Sequence, residues 1–445
     1  MTCLARRTDP RLCSLAEEAV AHARRCGATA SAAEASAASG LTVSVRNGAV
    51  ETLEYNRDKG LGVTVYVGRR RGHASTSDFS RQAMRQTVEA ALAIARHTAE
   101  DDCAGLPEPA QLATTCPDLD LDHPWDITVE QAIALAQECE QAAFDADRRI
   151  VNSEGASVNV HRSEFVLANS LGFVGGYAST RHSVGCVVIA GGQDTMQRDY
   201  WYSTARHPAD ILRVQEIGRL AAERTVRRLA ARQPPTLKCP VLFEAPVAAT
   251  LFGHFAAAAS GGNLYRGNSF LQGQLGQPVF SALVHVSDDP SLPRGLASSP
   301  FDEEGVRTQR REIVQGGVLG GYFLGSYSAR KLNMQTTGNA GGTHNLIVRP
   351  GGEDFAGLLR QMGRGLVVTE LLGHGVNPVT GDYSRGAVGF WVEHGEIQYP
   401  VEEFTIADNL KAMYRNIIAI GNDVQVHGSR QCGSVLVERM SVAGK

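Results

Sequence analysis

The chain of 445 residues lacks most of the short motifs that announce a chemistry. It contains no GxxxxGK[ST], no GxGxxG and no GxSxG, which leaves phosphate cradles and a nucleophile elbow without support. Its nine cysteines, an odd number scattered from Cys3 to Cys432, include no CxxC pair and do not suggest a disulfide framework. No apolar run is long enough to span a bilayer, and Arg6-Arg7 is followed by no apolar leader segment. A cytoplasmic location and no membrane partner are the expectation. With 43 basic and 47 acidic residues the formal net charge is −4, so no global field draws the chain to nucleic acid. There is no internal repeat, and the one biased tract is Ala-rich, at 28–38.

What is present reads as α+β. The length calls for more than one core, and the expected division is an N-terminal domain of antiparallel strands and helices over 1–232 and a C-terminal β-rich, barrel-like domain with short helices over 236–445. The double proline at 234–235 marks the boundary. Asn47-Gly48 between two alternating runs predicts a hairpin, and the arginines at 69–71 predict the turn of a second. Asp78 or Ser80 predicts a helix cap, with Met84, Val88, Leu92 and Ala95 on one face. Thr128 with Gln131 predicts a capping box. Over 150–192 short strands are expected, with turns at Asn152-Ser153, Asn169-Ser170 and Gly175-Gly176. Pro208 predicts a helix start carrying Ile211, Val214, Ile217 and Leu220. In the second half, 312–325 and 389–401 read as hairpins.

The site candidates are fewer. His161, His182, His285, His344 and His374 stand apart from other ligand-type residues, and isolated histidines are usually hydrogen-bonded structural groups. Arg69, Arg70 and Arg71 read as a solvated hairpin tip, and Asp302, Glu303 and Glu304 as an acidic loop rather than a cation site. The stretch GHFAAAASGGN (253–263) places a histidine on a short Ala-rich helix that starts near Pro246 and stops at Ser260-Gly261-Gly262.

Five segments resemble a known family: 45–78, FDEEG (301–305), TTGNAGGTHNLIV (336–348), 370–403 and GSVLVERMSVAG (433–444). They are similar to the TldD/PmbA family, and within it to the PmbA (TldE) branch. The resemblance implies a cytoplasmic protease that degrades or trims unfolded peptides, peptide-antibiotic precursors among them. In that family the TldD branch binds metal through an HExxxH helix and a cysteine near the C-terminus, and the PmbA branch lacks the intact motif and pairs with TldD.

Two registers fit His254 to that motif. As the first histidine, it leaves Phe255 in place of the glutamate and Ala259 in place of the second histidine. As the second, it leaves Ala249 and Thr250 in place of the first histidine and the glutamate. Either way one ligand and no base remain, whereas zinc hydrolysis needs about three ligands and a base. Cys432 near the family's cysteine position does not complete a set. The expectation is therefore no catalytic residue and no metal in this chain, with zinc or a similar divalent ion on a TldD-type partner subunit. The Gly-rich segments 337–345 and 373–386 leave little side-chain bulk over the backbone. Asn339, Gly341, Gly342, Thr343, His344, Asn345 and His374 are accordingly the candidates for docking an extended peptide, and bulk at Gly341 or Gly342 is expected to raise KM. A homodimer in isolation, an independent hydrolase with an unrecognised site, and a regulatory protein associated with DNA or gyrase are the alternatives carried forward.

Overall fold

The computed structural model describes Leu4, residues 8–192 and residues 195–445. Its first half is one antiparallel sheet with helices: α1 (Pro10–Arg25), β1 (Ala30–Arg46), β2 (Ala49–Val67), β3 (Arg70–Thr76), α2 (Arg81–His97), α3 (Val129–Ala146), β4 (Ile150–Asn169), β5 (Val174–Ala190), β6 (Gln197–Ala205) and α4 (Val214–Arg227). The sheet order is β3-β2-β1-β4-β5-β6. Alternate residues of β1 face the helices: Ala33 and Ala35 pack with α1 and α2, whereas Leu41, Val43 and Val45 join the core under α3 and α4. The Ala-rich tract is thus mostly strand, because packing across a sheet outweighs alanine's helical preference.

Local signals acted where the backbone needed them. Asn47 and Gly48 both take positive φ, 49° and 77°, as a two-residue hairpin turn requires. Ser80 caps α2 through its bond from Ala83 N, and the Thr128–Gln131 capping box opens α3. Four expectations differ from what is observed. Arg70 and Arg71 belong to β3, so Gly68 and Arg69 make that turn. Asn152-Ser153 is a bulge in β4, and Gly175-Gly176 lies inside β5, so two long strands replace several short ones. Pro208 opens only a 3-10 turn, held by His207 Nδ1 accepting from Ala209 N. The helix starts at Val214, leaving Ile211 outside it.

The second half comprises β7 (Leu237–Phe243), α5 (Ala245–Ala258), α6 (Gly261–Tyr265), β8 (Val286–Asp289), β9 (Arg311–Gln315), β10 (Val318–Leu319), α7 (Ser326–Lys331), β11 (Asn345–Val348), α8 (Phe355–Met362), β12 (Gly365–Leu372), β13 (Asp382–Glu393), β14 (Glu396–Asn409), α9 (Leu410–Arg415), β15 (Ile417–Ile420), β16 (Arg430–Gln431) and β17 (Val435–Ala443). One sheet runs β14-β13-β12-β7-β17-β15, and β14 also pairs with β17, which curls it into a barrel. A smaller sheet, β10-β9-β8-β11-β16, stands beside it. Helix α5 is sunk between them, with Leu251, Phe252 and Phe255 in a core shared with Phe280, Tyr414 and Trp391.

The two halves are clamped by ions beneath α5. Arg224 of α4 bonds both oxygens of Glu244 at 3.0 Å, the residue that precedes α5. Arg228 reaches Glu370 of β12 at 2.6 Å, and Asp199 of β6 lies 3.4 Å from Arg224 and 3.5 Å from Arg228. Among the described residues no helix is long and apolar enough to cross a membrane.

Candidate functional site

A cleft of about 710 Å³ opens along α5. Its walls are Gly253, Ala256 and Ala257 from that helix, Ser260 at the start of α6, the 339–343 segment, and Glu304, Tyr327 and Arg430 from three other parts of the chain. The predicted helix and the first predicted Gly-rich segment therefore face one another across open space.

The two motif registers differ in where they place their residues on the helix. Phe255 and Ala259 are fully buried, and the Phe255 ring packs against Phe280 at 5.1 Å. Ala249, Thr250 and His254 lie on the accessible side of α5. Only the register with His254 as second histidine keeps all three positions on one accessible face. There Ala249 offers no donor, and Thr250 Oγ1 bonds back to Val247 O at 2.6 Å.

His254 Nε2 is buried without a hydrogen-bond partner, a feature that a metal could satisfy. The surroundings do not fit one. Burial, with the charges of Arg385 and Arg430 adding to it, holds this imidazole below its ordinary value, and two guanidinium groups repel any cation placed at it. Cys432 is buried, its Sγ donates to Gly433 O at 3.0 Å, and burial together with Asp423 pushes the thiol far above its usual range. Among the described residues no three His, Cys, Asp or Glu side chains are grouped so as to hold a metal ion. Tyr383, edge-on to His254 at 6.2 Å, likewise buries a hydroxyl without a partner.

The 337–345 segment is a braced loop. Asn339 Nδ2 donates to Asp288 Oδ2 at 2.9 Å and to Gly342 O at 3.0 Å, and Asn339 Oδ1 accepts from Arg311 at 3.1 Å. His344 N and ring sit on the same Asp288 carboxylate, at 2.8 and 3.1 Å. Asn345 is wholly buried, bonded to Asp289 O and Ser298. Asn339, Gly341, Gly342 and Thr343 reach the cleft, while the His344 and Asn345 side chains brace the loop from within. His344 also borders a second cleft of about 340 Å³, which lies between the loop and Phe165, Tyr177 and Phe301. His374 is exposed on the loop between β12 and β13 and contributes to neither wall. In that loop Gly375 is glycine for packing, since a Cβ would lie 1.8 Å from Ser384 O.

The acidic loop has a structural task. Asp302, buried, accepts Glu304 N and Val306 N at 2.9 Å on one oxygen and Ala340 N at 3.0 Å on the other, tying itself to the cleft wall. Burial and the nearby Glu304 charge push its carboxyl up to about 7 against the pull of those three donors. The folded-state value lies above that of an unfolded carboxyl, so the contribution of the neutral form is complete below about pH 4 and is lost as pH rises through 7. The thermal midpoint is therefore expected to fall between pH 5 and pH 8, and to fall less in Asp302→Asn. Parallel pH profiles of the two proteins would refute this.

Glu304, Tyr265, Tyr327 and Arg430 were not foreseeable as cleft residues. The only sequence signal was the glycine at 253, whose Cβ would meet the Arg430 guanidinium at 3.1 Å. At the 69–71 hairpin, Arg69 pairs with Asp102 at 2.8 Å and Arg70 with Glu100 at 3.3 Å.

Comparison with known proteins gives a consistent picture. Residues 34–95, 122–229 and 236–444 match the first, central and C-terminal domains of the PmbA/TldA metallopeptidases. The metalloprotease PmbA of Escherichia coli O157:H7 is 50% identical over 91% of this chain and 90% of its own. A PmbA homolog of Haemophilus influenzae is 48% identical over 96% and 94%. A crystal structure from Bacteroides thetaiotaomicron, described as a candidate modulator of DNA gyrase, superposes with a TM-score of 0.92 at 27% identity over 97% of this chain and 98% of its own. TldE from Thermococcus kodakarensis shares the fold, with a TM-score of 0.85 at 18% identity over 96% and 99%.

Proposed function

This chain belongs to the PmbA/TldA metallopeptidase family, and we propose that within it the chain is the metal-free, peptide-docking subunit of a two-subunit protease whose catalytic ion sits on a TldD-type partner. The observations that carry this reading are the cleft between α5 and the 339–343 loop and, on the same helix, a His254 that has no second ligand among the described residues and feels the charges of two guanidinium groups.

The chain's own contribution is binding and orientation. The loop presents backbone rather than bulk: a Cβ at Gly342 would meet nothing within 4 Å, so an extended peptide can approach its main chain. Main-chain hydrogen bonding of this kind selects unfolded segments over particular sequences, which suits the trimming of unfolded peptides, peptide-antibiotic precursors included. Arg430 and Glu304 put opposite charges on the walls of the same cleft and can orient a peptide's polar groups. With no base and no ligand set on α5, no hydrolytic step is assigned to this subunit. The setting of the reaction is the cytoplasm.

Mixing this chain with a metal-bearing TldD-type subunit, then measuring mass and cleavage of an unfolded peptide, tests the proposal. A heteromer that cleaves while each chain alone does not is the expected result; turnover by this chain alone would overturn it. Elemental analysis of the chain purified without chelator is expected to find well under one zinc per chain. Close to one zinc, lost in His254→Ala, would show that α5 holds a metal after all.

A further inference from the structure

The loop that walls the cleft along α5 has a second face. Residues 340–343 line the 710 Å³ cleft on one side and the cleft of about 340 Å³ on the other. Consecutive acids divide between the two, Glu304 to the first and Glu303 to the second. The floor of the second cleft is aromatic. Phe165 of β4 and Tyr177 of β5 are cross-strand partners, and with Phe301 their ring centroids lie 5.6, 6.1 and 6.5 Å apart, tilted or edge-on rather than stacked flat. Phe301 is buried, while Phe165 and Tyr177 keep part of their surface open. Two residues along the same strands the partners are Ser163 and Ser179, bonded to one another at 3.1 Å, and their small side chains leave room above the sheet.

The polar groups of this cleft accept hydrogen bonds and carry negative charge. Among the described residues no lysine or arginine lines it. Arg206, whose charge reaches Tyr177, spends its donors on the carbonyls of Thr180, Gly295 and Leu296. Asp302 is engaged by three backbone N–H groups. The Glu303 carboxyl, by contrast, has no hydrogen bond or ion pair among the described residues and lies over the loop, 2.6 Å from where a Cβ at Gly341 would stand. His344 supplies a second acceptor. Asn339 Nδ2 gives its two hydrogens to Asp288 Oδ2 and Gly342 O, so His344 Nδ1 carries its own proton and donates it to Asp288 Oδ2 at 3.1 Å. That leaves Nε2 with a lone pair. The side chain is 8% exposed, Nε2 has no partner among the described residues, and His344 lines the second cleft and not the first, so the lone pair is open to it.

We propose that the second cleft binds a primary ammonium group of the docked peptide, its N–H donors accepted by Glu303 and by His344 Nε2 and the carbons that carry it lying on Phe165 and Tyr177. Glu303 repels an anion. A guanidinium's planar fork prefers paired oxygens in its own plane, whereas single acceptors from two directions suit the tetrahedral donors of an ammonium. Ring faces beneath add cation–π attraction in a partly desolvated setting. The proposal rests on the peptide-docking reading for its ligand, and it adds selectivity to a main-chain docking that by itself has little.

Two groups of a peptide have this chemistry, the amino terminus and a lysine side chain. The probe is an unfolded peptide with a free amino terminus and one lysine, labelled with a fluorophore at its C-terminus. It is compared with its N-acetylated form, a form with norleucine for lysine, and a form with both changes, each titrated with the purified full chain and read by fluorescence anisotropy. One of the single changes is expected to weaken binding about tenfold, and the other to leave it within about twofold. Which of them weakens it identifies the group that occupies the cleft. Glu303→Gln keeps the side chain's size and disturbs no bond, so it should weaken binding of the unmodified peptide by a similar factor and leave the doubly changed peptide as it was. Equal affinity for all four peptides would overturn the proposal, and so would a discrimination that persists undiminished in Glu303→Gln. If no peptide binds, the docking reading fails, and the cleft is then judged on n-butylammonium by ligand-observed NMR. Binding at millimolar concentrations that is lost in Glu303→Gln would uphold the ammonium site, and no binding would sink it.

Discussion

Replacing Arg228 by methionine is expected to cost about 3–5 kcal/mol of stability, the usual effect of removing one partner from a buried ion pair. The side chain is only 7% exposed, bonded to Glu370 at 2.6 Å and 3.5 Å from Asp199, whose own side chain is 6% exposed. Methionine fills much of the same volume, so the loss isolates the charge: Glu370 is left half-sheltered without its cation, and Asp199 keeps only Arg224, at 3.4 Å. Because α4 and β6 lie in one half of the chain and Glu370 in the other, the effect should appear at the junction. Calorimetry should show Tm lower by several degrees and the halves melting less cooperatively. Protease should also cut faster near 228–236. Adding Glu370→Leu removes the stranded carboxylate and should recover part of the loss. A midpoint within one degree of wild type would mean that the clamp is electrostatically neutral.

The same clamp shows what a linear reading reaches and what it does not. Signals confined to a few adjacent residues were legible: positive φ at Asn47-Gly48, the Thr128–Gln131 box, and a helix from near Pro246, although it ends at Ala258 and Ser260-Gly261-Gly262 opens α6 where a stop was expected. The charges that join the halves, Asp199, Arg224, Glu244 and Glu370, sit far apart in sequence and have no local signature. Glycine was the most misleading residue. Gly175 and Gly176 suggest a turn, yet they are strand positions that a side chain cannot occupy, since a Cβ would lie 2.7 Å from the Phe173 ring at one and 2.6 Å from Phe165 O at the other. For the site, α5 and the 337–345 segment were each visible, and their meeting across one cleft was not. Arg430 and Glu304 join them only through tertiary structure.

Filling the cleft from α5 is expected to raise KM for unfolded peptides at least tenfold in the assembled protease, with kcat within about threefold, as loss of uniform binding requires. Ala257→Trp is the substitution to make. Valine at Gly341 or Gly342 would confound the measurement, since these residues have φ of 96° and 125°, and a Cβ at 341 would meet the Glu303 carboxyl at 2.6 Å. Any loss there would mix backbone strain with blocked docking. Ala257 carries neither problem: it is helical, exposed and on the cleft wall. The bonds its carbonyl accepts from Ser260 Oγ at 2.8 Å and Asn263 Nδ2 at 2.7 Å involve only backbone at 257 and survive the change. The helix-propensity penalty is about 0.5 kcal/mol, too small to unfold α5, whose other face is fixed by Leu251, Phe252 and Phe255. An indole covers about 150–250 Å², enough to obstruct an extended chain between α5 and the 339–343 loop. The mass of the complex and the partner's metal content should not change. Unaltered KM in a fully assembled Ala257→Trp complex would remove this cleft from the peptide's path.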